Sequence, residues 1–199
     1  MLERHFHRRR LPHLYFNEGV YFVTYRVKNS IAKNYIRELW EDYRLALKDS
    51  SLTGYQQKKF FDKYEKALNE NIPHCDYLIR PEINKIVKYT IHFPEGKEYN
   101  LLAYCIMPNH VHLVFQLLKG NRGISKIMQS IKRISGRDIN RVLGEKGHFW
   151  QKESYDRLVR DDKELYFTLE YVLNNPVVAG LAASQEEWEH NHINNNLLY

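Results

Sequence analysis

Residues 99–118 constrain the fold most, because they read as two apolar runs, Tyr99 to Met107 and Asn109 to Leu118, broken only around Pro108. Runs of this length, rich in aliphatic and aromatic residues and parted by a proline, are expected to pair as an antiparallel hairpin. In the second run, His110 and His112 alternate with Val111, Leu113 and Phe115. Strand side chains change face at every residue, so both imidazoles project to one side and the apolar groups to the other. Such a hairpin buries one face on a core and presents two metal-capable nitrogens on the opposite one.

The flanking sequence supplies the rest of an α+β domain. Gly19 to Val27 is dense in β-branched and aromatic residues and reads as a first strand. From Lys33 to about Asn69 the chain turns charged, with Ile36, Leu39, Trp40, Tyr43 and Leu47, then Phe60, Phe61, Tyr64 and Leu68, at helical spacing. This stretch predicts two helices broken near residues 50–54. Pro81 to about Phe93 predicts a third helix, with Pro81 in its first turn and Pro94, Glu95 and Gly96 ending it. Ile124 to about Leu143 is amphipathic through Ile124, Ile127, Met128, Ile131, Ile134 and Ile139, and is stopped by Gly144 and Gly147.

A last strand is expected near Ser154 to Val159. Asp161 and Asp162 then cap a helix from about Lys163 to Asn174, which Asn175 and Pro176 are expected to end because the residue before a proline disfavours the α region. The polar tail after Gly180 either packs as an appendage or frays. The order matches a ferredoxin-like fold, an antiparallel sheet with helices on one face, carrying a helical insertion at about residues 31–70. One domain over residues 1–185 is expected, with residues 186–199 as a C-terminal tail.

Charge bears on partners. The chain of 199 residues carries 30 Lys and Arg against 24 Asp and Glu, a net charge of +6 that fits a phosphate-rich partner without demanding one. Lys126, Lys132, Arg133, Arg137 and Arg141 mark the polar side of the long helix, either as a track for phosphates or as a solvated face. Arg8, Arg9 and Arg10 read as a solvated arm or as one that lies against DNA. Cys75 and Cys105 form no disulfide framework, and no run has the length of a membrane span, so a soluble cytoplasmic protein is expected.

The last helix brings a second chemical element. Tyr171 and Asn175 are four apart and share a helix face, and if that face covers the sheet they meet His110 and His112. Two imidazoles and an amide oxygen, without thiolates or carboxylates, suit Mg²⁺ or Mn²⁺ shared with substrate oxygens. A phenol near Lewis-acid-bound phosphate can act as a covalent nucleophile, although with a pKa of about 10 it needs help that the sequence does not name. Tyr155 and Tyr166 are rival nucleophiles, and Gln151 and Asp156 are alternative metal partners. A small-molecule metal hydrolase would place further Asp or His ligands just after His112, and residues 113–121 contain none.

The runs Met107 to Leu113, Phe149 to Asp161 and Glu170 to Leu181 resemble the single-tyrosine HUH transposases, most of all the REP-associated tyrosine transposases. The resemblance implies His110 and His112 as metal ligands, Asn175 as a third ligand and Tyr171 as nucleophile. It implies transesterification on single-stranded or hairpin DNA through a 5′-phosphotyrosyl intermediate, with phosphate contacts at Lys132 and Arg133. The insertion at 31–70 has no counterpart in the family pattern. Monomer and homodimer stay open, as does the alternative of a domesticated hairpin-binding module that no longer cleaves.

Overall fold

The computed structural model describes residues 4–8, 12–46 and 53–197. After a two-stranded ribbon, β1 (Arg4–Arg8) and β2 (Pro12–Phe16), come β3 (Val20–Arg26), α1 (Lys33–Ala46), α2 (Thr53–Glu70), α3 (Pro81–His92), β4 (Tyr99–Ile106), β5 (His110–Leu117), α4 (Ile124–Leu143), β6 (Tyr155–Val159), α5 (Asp162–Val178) and β7 (Asn191–Ile193). The main sheet is antiparallel throughout, in the order β6-β3-β5-β4-β7. Without β7 this is the ferredoxin-like order, with β5 central between β3 and β4, so His112 lies opposite Thr24 on one side and Cys105 on the other.

Strand alternation decides what each face buries. Tyr21, Val23 and Tyr25 of β3 and Val111, Leu113 and Phe115 of β5 pack on the apolar stripes of α3 and α4, through Ile83, Val87 and Ile91 and through Ile127, Met128 and Ile131. These two helices are the layer expected of the fold. The opposite face is covered too: Phe22, Val114 and Cys105 meet Leu39, Phe60, Tyr64 and Leu68 of the inserted helices and Leu169 and Val172 of α5. Both imidazoles are consequently 0% exposed. Gly136 permits α4 to lie close to the following loop, since a Cβ there would stand 3.2 Å from Trp150 Cδ1.

Two expectations are corrected and one open alternative is resolved. Helix α5 does not stop at Asn175; it runs through Pro176 to Val178, with Ala179 N–H donating to the Asn175 carbonyl and Leu181 N–H to that of Pro176. Burial of Val172, Leu173 and Asn175 holds the α conformation that the proline disfavours locally. Of the two alternatives for the tail, its described residues pack as an appendage, β7 pairing with β4 and Trp188 Nε1 donating to the Ile106 carbonyl at 3.1 Å. Arg8 ends a strand of the N-terminal ribbon rather than belonging to a loose arm; Arg9 and Arg10 lie outside the described residues.

Candidate metal and tyrosine site

His110 and His112 point from β5 toward α2 and α5, their rings 4.7 Å apart and their Nε2 atoms separated by 3.0 Å. The outer nitrogens are anchored. Asn109 Nδ2 donates to the Leu68 carbonyl at 2.8 Å, which turns its Oδ1 toward His110 Nδ1 at 2.6 Å. An amide oxygen only accepts, so His110 carries its proton on Nδ1 and presents a lone pair on Nε2. Thr24 Oγ1 lies 2.9 Å from His112 Nδ1 and, as a hydroxyl, can serve either tautomer of that ring. Burial, reinforced by neighbouring His112, holds the His110 pKa down to about 3, so its imidazole is neutral as a ligand must be.

The third group comes from the insertion. Glu65 of α2 places Oε2 3.2 Å from His112 Nε2 and 3.9 Å from His110 Nε2. Burial alone would raise its pKa, yet His112, His110 and the Tyr171 hydroxyl together hold it below the usual carboxylate value. The expectation of a site without carboxylates is therefore corrected: among the described residues, Glu65, His110 and His112 form the one group of such ligand atoms within 4.8 Å of one another.

Tyr171 reaches the same point from α5. Its hydroxyl donates to Glu65 Oε2 at 2.7 Å and accepts from Asn175 Nδ2 at 3.1 Å. Its ring is wedged by Phe61 at 5.5 Å, His112 at 5.6 Å and Phe22 at 6.0 Å. Burial and the adjacent Glu65 carboxylate push the phenol pKa well above its ordinary value. Of the rivals, Tyr155 shares the ring contact with Phe61 but, among the described residues, no hydrogen bond joins it to Glu65 or the histidines, and Tyr166 is 60% exposed. One chain thus assembles both histidines, the tyrosine and the amide.

Two buried acceptors, Asn175 Oδ1 and Glu65 Oε1, have no hydrogen-bond partner among the described residues. Such an acceptor costs about 1–3 kcal/mol if left unmet. Glu65 and the two imidazoles bring carboxylate oxygen and ring nitrogen within 4.8 Å of one another, a donor set that suits a divalent cation.

The basic residues of α4 separate. Lys132, Arg133, Arg137 and Arg141 line a groove of about 1020 Å³ between α4 and residues 144–154, whereas Lys126 lies outside its lining. Lys132 is held inward, its ammonium donating to the carbonyls of Gln151 at 3.1 Å and Lys152 at 2.7 Å and to Ser154 Oγ at 2.9 Å. Gln151 and Asp156 line the same groove and are not in the cluster around the histidines.

The model of the IS200-like transposase family matches residues 74–175, and the chain belongs to that family. Within it, the chain is 28% identical over 106 residues to a Haemophilus influenzae protein named for the REP-associated tyrosine transposases, a match over 49% of this chain and 58% of that one. It is 23% identical over 92 residues to the REP-associated tyrosine transposase of Escherichia coli, covering 46% of this chain and 53% of its relative. The chain thus spans little more than half the length of these two relatives. The solved structure of a REP-associated tyrosine transposase bound to a REP hairpin superposes with a TM-score of 0.57 at 16% identity, over 89% of this chain and 78% of that one, which establishes a shared fold. Glu65 lies outside the matched stretch of 74–175.

Proposed function

We propose that this chain is a metal-dependent DNA strand transferase that cleaves and rejoins single-stranded DNA beside hairpins, with Tyr171 as nucleophile. The observation that carries the reading is the array running from Tyr171 Oη to Glu65 Oε2 at 2.7 Å and on to His112 Nε2 at 3.2 Å. His110, His112, Glu65 and Asn175 would hold the cation. Mg²⁺ or Mn²⁺ suits these donors and, when bound, supplies Lewis-acid polarisation of the scissile phosphate.

The chain's own groups account for the remaining steps. Tyr171 Oη forms a bond to phosphorus as the bond from phosphorus to the 3′ oxygen breaks, leaving a 5′-phosphotyrosine and a free 3′-hydroxyl. The phenol is protonated at rest, so its proton must leave as it attacks, and Glu65 Oε2 already accepts that hydrogen bond. The departing 3′ oxygen takes up a proton. Asn175 Nδ2, which donates to the same phenol oxygen, stabilises the negative charge that develops there. Attack by a 3′-hydroxyl on the phosphotyrosine reverses the step and returns the proton to Tyr171, so strands can be joined without another energy source. The α4 groove supplies phosphate contacts that hold the hairpin.

The test is a denaturing gel for a covalent protein–DNA adduct, using Mn²⁺ and single-stranded hairpins from the DNA flanking the gene. Wild type is expected to form the adduct and Tyr171→Phe to lack it. An adduct in both would transfer the role to Tyr155 or Tyr166. Tight hairpin binding with no adduct in either would leave a binding module.

A further inference from the structure

A cleft of about 690 Å³ opens between α2 and α5 above β3 and β6, and Tyr171 is among its lining residues. We infer that this cleft seats the unpaired bases adjoining the phosphate that Tyr171 attacks, an inference that rests on the function proposed above. Three observations carry it.

The first is charge. Four Lys and Arg side chains line the cleft against four Asp and Glu. Two of the cations are already engaged, since Arg157 and Arg160 both pair with Glu164. A wall so balanced offers little to a run of phosphates, whereas bases are neutral.

The second is the aromatic lining. Phe61 from α2, Tyr155 from β6 and Phe167 from α5 line the cleft, and Phe167 is 59% exposed. Tyr155 is only 9% exposed, so the exposed ring of Phe167 is the stacking platform, and every base has a face to stack. The third is size and place. The volume lies within the range of about 300–1,000 Å³ typical of small-ligand sites. A strand that presents a phosphate to Tyr171 Oη must lay its neighbouring nucleotides along a cleft in which that tyrosine sits.

One wall belongs to α2, in the stretch of chain that lies outside the family match. The inserted helices therefore select the sequence beside the cleaved phosphate, while the hairpin is held from the other face of the sheet.

The test uses a hairpin with a single-stranded flank that carries 2-aminopurine next to the cleaved phosphate, bound to full-length Tyr171→Phe protein so that no cleavage intervenes. Binding is expected to quench the fluorophore several-fold. Adding Phe167→Ala should abolish the quench and Phe167→Trp restore it, with thermal melting checking that each variant is folded. The flank's contribution to affinity should fall about tenfold with Phe167→Ala. That loss should be equal at about 50 and about 200 mM salt, because no ion pair is removed. A bound flank whose fluorophore stays bright, or a quench indifferent to Phe167, would overturn the inference. Failure of the underlying reading is seen separately, as wild type forming no Tyr171 adduct on unmodified DNA.

Discussion

The α4 groove and the α2–α5 cleft lie on opposite faces of one sheet and share a single lining residue, Asp156 of the edge strand β6. Their charge could hardly differ more. The groove carries seven Lys and Arg against three carboxylates, the cleft four against four. Charge acts at a distance and without regard to base, so on the function proposed the groove is the part that gathers a phosphate backbone. The cleft carries no net charge; it holds the rings and the tyrosine whose hydroxyl meets Glu65. On the function proposed, the groove holds the hairpin while the cleft holds the flank and the chemistry, so hairpin affinity and cleavage should each be alterable without the other.

The largest effects belong to the chemical side. His110→Ala or His112→Ala should abolish Mn²⁺-dependent cleavage, and Glu65→Gln, which keeps the shape but not the charge, should slow it at least about 100-fold. Hairpin affinity measured by fluorescence anisotropy should stay within about twofold in all three. A parallel fall in hairpin affinity would break the division between the faces.

Removing charge from the groove should do the converse. Arg133→Ala combined with Arg137→Ala and Arg141→Ala should weaken hairpin binding at least about tenfold and reduce the salt slope by about two to three. Single-turnover cleavage at saturating DNA should be unchanged. Arg137 and Arg141 both pair with Asp138, which sets the lower end of that range.

The pH dependence of stability sharpens the contrast, because His110 is fully buried at the site, while burial depresses His190 and His192 as well and adds a loss of the same sign. The folded-state pKa of His110 is about 3 against an ordinary 6.5, so between these values the unfolded chain binds a proton that the folded chain does not. Stability is fully present above about pH 6.5 and is lost as pH falls, at up to about 1.4 kcal/mol per pH unit for one proton. Glu65, also depressed, adds a loss of the same sign below its ordinary carboxylate value. Urea unfolding of the metal-free protein at about pH 7 and about pH 5 should reveal this slope, and His110→Gln should reduce it, leaving the share of His190 and His192. An equal slope in that variant would place the titration elsewhere.

Much of this arrangement was legible in the sequence, and what was not has local causes. Strong periodicity set the helices Pro81–His92 and Ile124–Leu143 almost to the residue, and strand alternation put His110 and His112 together. The four-residue interval from Tyr171 to Asn175 gave the tyrosine its amide. Glu65 escaped because only tertiary packing brings α2 over β5. Its one signal was position, four residues after Phe61 and three before Leu68, a carboxylate set within an apolar stripe. Asn109 escaped as part of a turn, though its side chain ties His110 to the end of α2. Strand β7, only Asn191, His192 and Ile193, is too short to show a pattern of its own and exists because the edge of β4 offers it partners.

The smallest effect separates two neighbours that sequence alone treats alike. Lys132 and Arg133 are adjacent cations lining one groove, but the Lys132 ammonium gives three hydrogen bonds to residues 151–154 and fastens that segment to α4. Hydrogen bonds from a charged donor are worth more than neutral ones, so Lys132→Ala should cost about 1–2 kcal/mol in chemical denaturation. Arg133→Ala should cost no more than about 0.5 kcal/mol, as exposed substitutions do, while lowering the salt slope of binding by about one. If Lys132→Ala left stability intact and lowered the slope as Arg133→Ala does, its ammonium would have to be counted among the phosphate contacts, and the groove's charge would be fully available to DNA rather than partly spent on holding its own wall.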